Sequence, residues 1–201
     1  MTDRGIEDDI AFIRRTVEGG RNYARGRSPD LLIWGLFVVA GYLATYAYVR
    51  GWSSIDPDWI WAACIGLPWL YSLRRLGNRL LGASPAPARS PMAQALSNLW
   101  LGCGIFLSTL AIAANWPGVA QHHWYDAVVA GVLGIAFFAA ASLCNLSWMR
   151  WVALAWWASE FVLFGLRDQP TILPVAAAMM LLFLAGPGLI LLSSRQPADA
   201  Q

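Results

Sequence analysis

Residues 31–49 read LLIWGLFVVAGYLATYAYV, nineteen residues without a charge. Wound as an α-helix, this stretch measures about 28 Å, close to the thickness of a bilayer's hydrocarbon core. Five further apolar runs follow at 59–73, 93–114, 127–146, 151–166 and 172–192. The basic residues, all Arg, fall on alternate sides of these runs. Arg4, Arg14, Arg15, Arg21, Arg25 and Arg27 precede the first run. Arg74, Arg75, Arg79 and Arg89 follow the second, Arg150 the fourth and Arg195 the sixth. Only Arg50 and Arg167 lie in the other connections. Such a bias marks the cytoplasmic side of a membrane protein. The pattern therefore predicts an all-α, polytopic bundle of six transmembrane helices with both termini in the cytoplasm.

Composition agrees. Hydrophobic residues make up 58% of the 201 and charged residues 13%, more apolar surface than a soluble chain of this length can bury. The absence of Lys beside many Ala, Gly and Arg residues points to a GC-rich bacterial genome, hence to a bacterial plasma membrane. The first 27 residues are polar and include Glu7, Asp8 and Asp9. They lack a signal peptide's apolar segment, so the first span is expected to act as an uncleaved insertion signal. The expected organisation is a cytoplasmic segment at 1–27, a six-span domain at 28–195 and a short cytoplasmic tail at 196–201.

Within the N-terminal segment, Ile6, Ile10, Ile13 and Val17 are spaced 4, 3 and 4, the stripe of an amphipathic helix. Acids at its start and Arg14 and Arg15 toward its end suit the helix dipole. A helix this short is marginal alone and its aliphatic stripe needs cover. The stripe is the candidate partner interface, for a second protomer or a cytosolic regulator. Ser28 reads as an N-cap, with Pro29 at the first helical position. Pro68 is expected to kink the second span.

Tryptophan placement supports the boundaries. Trp52, Trp59, Trp61, Trp116 and Trp124 cluster at the outer interface and Trp34, Trp148 and Trp151 at the inner one. Trp156 and Trp157 fit neither belt and are expected near mid-membrane, packed on neighbouring helices.

Residues that could carry chemistry are few. Glu160 is the one acid inside a predicted span. Intramembrane carboxylates are costly and face a bundle interior or wet cavity, so Glu160 is a candidate functional residue, for proton or cation coupling or for a structural hydrogen bond. His122-His123 lies in an outer loop without the spacing of a preformed ligand pair. Cys64, Cys103 and Cys144 fall at different depths, without the spacing of a zinc site or disulfide framework. Gly35, Gly41, Gly102, Gly104, Gly131 and Gly134 would allow close helix approach. Gly186-Pro187-Gly188 should break or bend the last span. Walker, GxSxG, HExxH and Rossmann patterns are absent from the sequence. No catalytic residue, metal or cofactor is expected, nor a nucleic-acid partner.

The segment Asp8-Asp9-Ile10-Ala11-Phe12-Ile13-Arg14-Arg15, followed by Glu18 and by a span beginning Ile33-Trp34-Gly35, resembles a loose group of bacterial multi-pass inner-membrane proteins of uncharacterised activity. That group has a short N-terminal amphipathic helix and often a neighbouring gene for a winged-helix regulator. The resemblance covers about the first 45 residues and brings no active residues with it. It implies a non-enzymatic regulatory or sensory protein that engages a partner at its cytoplasmic face. The alternative is a small transporter or permease subunit using Glu160.

Overall fold

The computed structural model describes residues 26, 28–80, 91–114 and 124–194. The N-terminal stripe Ile6, Ile10, Ile13 and Val17 lies outside them, as does His122-His123. The described residues form six helices and no strand: α1 (Ser28–Val49), α2 (Pro57–Leu80), α3 (Pro91–Ala114), α4 (Tyr125–Cys144), α5 (Trp148–Leu166) and α6 (Ile172–Ser193). Four of them, α1, α3, α4 and α6, are long and apolar enough to cross a membrane. α2 carries Asp58, Arg74 and Arg75, and α5 carries Arg150 and Glu160 among four Trp residues, which lowers their mean hydropathy. Large apolar side chains make up much of the outward surface. Ile112 on α3 is 66% exposed and Phe161 on α5 81%, which suits lipid and not water.

The helices alternate in direction, and paired contacts show it. Trp34 meets Trp69 edge-on, and Tyr42 meets Trp61, so α2 runs back along α1. On the next hairpin Trp100 meets Phe137. Along α4 and α5, Gly131 faces Glu160 and Gly134 faces Trp157. Trp156 of α5 reaches Phe183 of α6, and Gly35 of α1 lies against Ala185 of α6. α1 is thus flanked by α2 on one side and α6 on the other.

Two of the turns are built alike. Gly51, at φ 74°, follows α1, with Gly51 N–H bonded to Tyr48 O at 2.9 Å and Trp52 N–H to Ala47 O at 2.8 Å. Asn145, at φ 51°, follows α4, with its N–H bonded to Ser142 O at 3.4 Å and Leu146 N–H to Ala141 O at 3.0 Å. Both are Schellman closures, which need a residue that tolerates the left-handed region. α2 opens on Asp56, whose Oδ1 accepts the Asp58 N–H at 2.8 Å, with Pro57 at the first helical position, where its missing N–H costs nothing.

Three local expectations change. α2 does not end at residue 73 but continues to Leu80, so Arg74 and Arg75 project from helix and not from a loop. Ser28 is not a flanking cap, because Gly26 and Ser28 are already helical. Ser28 is instead fully buried beside Gly188, where a Cβ would come within 3.0 Å of Ser28 O. Gly186-Pro187-Gly188 does not break the last span. α6 stays continuous through a π turn at Leu181–Ala185, where Gly186 N–H bonds Leu181 O. That wide turn absorbs the proline. Pro187 lacks the N–H that Phe183 O would otherwise accept, and Trp156 Nε1–H donates to Phe183 O at 3.2 Å in its place.

Helix packing in lipid has little hydrophobic driving force between spans and relies on small residues and hydrogen bonds. A Cβ on Gly35 would lie 2.8 Å from Ala185 Cβ, one on Gly41 3.0 Å from the Trp61 ring, and one on Gly134 would collide with Trp157 Nε1. These glycines are where helices touch. Gly102 meets nothing within 4 Å.

Candidate ligand cavity

A cavity of about 270 Å³ lies among α1, α2, α3, α4 and α6. Its walls are aromatic: Trp34 and Tyr42 from α1, Trp61 and Trp69 from α2, Trp100 from α3 and Tyr125 from α4. The antiparallel register places them. Trp34 and Trp69 meet at 5.7 Å and 89°, and Tyr42 and Trp61 at 5.0 Å and 87°. Edge-to-face pairs fix both rings, so the cavity keeps its shape between them.

Polar groups converge at defined points along it. At the end formed by the start of α1 and the end of α2, Arg75 Nη1 pairs with Asp30 Oδ1 at 2.5 Å and Nη2 donates to Gly26 O at 3.0 Å. Both side chains line the cavity, along with Ser72 and Ser97. In the middle, Trp69 Nε1–H donates to Ser108 Oγ at 2.9 Å. At the far end Tyr42, 4% exposed, donates its hydroxyl proton to Asp126 Oδ1 at 2.5 Å, and Tyr125 OH donates to Leu107 O at 3.4 Å. An apolar pocket with few, placed polar groups is the usual form of a small-molecule site.

Glu160 lies elsewhere. It is half-buried on α5, with Oε1 2.8 Å from where a Cβ of Gly131 would stand. Beside it, Trp157 Nε1–H donates to Gly131 O at 3.4 Å. The carboxylate thus fits a notch that glycine leaves on α4 and is not among the residues lining the cavity. Trp156, 1% exposed, and Trp157, half-buried, pack on neighbouring helices, Trp156 against Phe183 and Trp157 against Gly131. Cys103 lines the cavity and Cys144 is fully buried. Among the described residues no group of three or more His, Cys, Asp or Glu side chains could hold a metal ion.

Asp30, Tyr42, Arg75 and Asp126 escaped the sequence reading. Outside the predicted spans, the first turns of α1, α2 and α4 also carry acids, Asp30, Asp58 and Asp126. Asp30 and Asp126 flank apolar runs and read there as boundary residues. Tyr42 was the available signal, a hydroxyl in the middle of a run without charge. Comparison with protein-family models, curated proteins and solved structures finds no match to this chain.

Proposed function

We propose that this chain crosses the bacterial plasma membrane six times, with both termini cytoplasmic, and that it binds a small lipophilic molecule in the interhelical cavity as a non-enzymatic regulatory or sensory protein. The observation that carries the reading is the cavity itself: apolar, aromatic-walled, with hydrogen-bonding groups at both ends. The alternation of helix direction and the Arg bias support six crossings. α5 packs antiparallel to α4 after a turn of three residues, and its 19 residues reach about 28 Å. Trp156, Trp157 and Glu160 are accommodated against α4 and α6, so low hydropathy does not prevent it from spanning.

The place of Glu160 between α4 and α5, outside the cavity lining, favours this reading over a transporter working through that carboxylate. The N-terminal amphipathic stripe remains the proposed contact for a cytoplasmic partner, which would hear the state of the cavity through α1.

The test is mass spectrometry of protein purified gently from native membranes. A co-purifying lipophilic molecule should be retained by the wild type and by Glu160→Gln. It should be lost from Gly104→Phe, which places a ring in the cavity beside Trp69, now 3.5 Å from the nearest position of a Gly104 Cβ. Retention by Gly104→Phe, or loss in Glu160→Gln, would overturn the assignment.

A further inference from the structure

The cavity has an opening on the lipid side. Leu73 of α2 and Leu101 of α3 both line it, and both are exposed, at 55% and 45%. The wall between these helices is therefore incomplete near Arg75 and Ser97, in the half where α2 ends and α3 begins. A molecule dissolved in the surrounding leaflet can enter there without crossing water.

The charge at this mouth favours one class of occupant. Arg75 commits two of its five N–H donors, to Asp30 and Gly26 O, and the rest remain for a ligand. Its side chain is 28% exposed, whereas the Asp30 side chain, at 10%, is the more enclosed partner. Arg74 is exposed one residue away. Arg74 is not among the lining residues, so the charged groups that line this end are Arg75 and Asp30. An aromatic wall alone would also suit an organic cation, but Asp30, the one carboxylate among the lining residues, already holds Arg75.

We infer that the occupant is an amphiphile with an oxyanion headgroup. The inference rests on the cavity's being a lipophilic ligand site. The tail passes between Leu73 and Leu101 and lies against Trp69 and Trp100, and the headgroup carboxylate or phosphate rests on the unused donors of Arg75. A guanidinium suits either oxyanion. A free fatty acid and one chain of an anionic phospholipid share this chemistry.

The experiment uses the full-length protein in phosphatidylcholine nanodiscs with three diazirine-tagged probes: palmitate, methyl palmitate and phosphatidylglycerol. Labelled peptides are located by mass spectrometry. Palmitate is expected to label α2 and α3 around Trp69 and Trp100 about tenfold more than its ester, the ratio expected of one charge-assisted headgroup contact. Arg75→Gln should erase that ratio and Arg75→Lys should retain much of it. Gly104→Phe, with the Arg75–Asp30 pair intact, should abolish cavity labelling by every probe. Competition of palmitate labelling by unlabelled phosphatidylglycerol identifies a phospholipid chain as the source, and its absence identifies the free acid. Equal labelling by acid and ester, or an acid preference that survives Arg75→Gln, would overturn the oxyanion assignment while leaving the cavity a ligand site. Absence of labelling around Trp69 and Trp100 by all three probes would overturn the ligand site itself.

Discussion

Trp156 of α5 donates its indole proton to the main-chain carbonyl of Phe183 on α6, the carbonyl that Pro187 leaves without its helical partner. The donor is 27 residues away in sequence and 1% exposed. A proline that would break an isolated helix is tolerated here because a neighbouring helix supplies the hydrogen bond. The rings of Trp156 and Phe183 add an edge contact at 5.7 Å.

Trp156→Phe should therefore destabilise the protein by about 1–3 kcal/mol, the cost of a buried unsatisfied carbonyl together with some lost packing. In a Pro187→Ala background the restored N–H can reach Phe183 O, and the same substitution should cost distinctly less. Thermal unfolding in detergent of the four proteins measures the coupling. Additive effects would show that the indole does not stand in for the missing amide.

The hydrogen bond from Tyr42 to Asp126 joins the middle of α1 to the start of α4 and closes the far end of the cavity. Tyr42→Phe should lower stability by about 1.5–3 kcal/mol, as expected for a hydrogen bond to a carboxylate. Asp126→Asn should weaken the contact by less, since an amide oxygen still accepts. In a double-mutant cycle with Asp126→Ala, a coupling near zero would show that the two residues are merely adjacent.

Two glycines make a matched pair. Gly35→Ala drives a methyl into Ala185, whose Cβ would stand 2.8 Å away, and should cost about 1–3 kcal/mol through overpacking. Gly102→Ala meets nothing within 4 Å and should be neutral or stabilising by up to about 1 kcal/mol from helix propensity. Thermal midpoints of both variants decide it. Equal effects would mean that α1 does not cross α6 at Gly35.

The helices were legible in the sequence because each apolar run is bounded by Arg, Pro or Trp. The packing of Trp156 and Trp157 on neighbouring helices was legible because neither falls near the end of an apolar run; Trp156 is buried and Trp157 half-buried. The cavity was not legible. Its polar groups, Asp30 with Arg75 and Tyr42 with Asp126, meet only when helices distant in sequence are packed, and each alone resembles a boundary or core residue. The break that was one of the two outcomes expected at Gly186-Pro187-Gly188 does not occur, for a related reason. Local rules see the lost amide of Pro187 but not the indole of Trp156 or the approach of Ser28 to Gly188.

For the N-terminal stripe, Ile10→Asp with Ile13→Asp should release a cytoplasmic partner in a pull-down and leave membrane insertion intact. Survival of both partner binding and oligomeric state would show that the stripe is not the interface.

The proposed six crossings set which side of the membrane the Arg75 end of the cavity faces, and α2 and α5 are the helices on which that proposal turns. Fusing a compartment-sensitive reporter after Ser54, Arg79, Gln121, Ser147, Gln169 and Gln201 tests every crossing in one series. The account predicts external signals at Ser54, Gln121 and Gln169 and cytoplasmic signals at Arg79, Ser147 and Gln201. A signal from the same side at Ser54 and Arg79, or at Ser147 and Gln169, would contradict it.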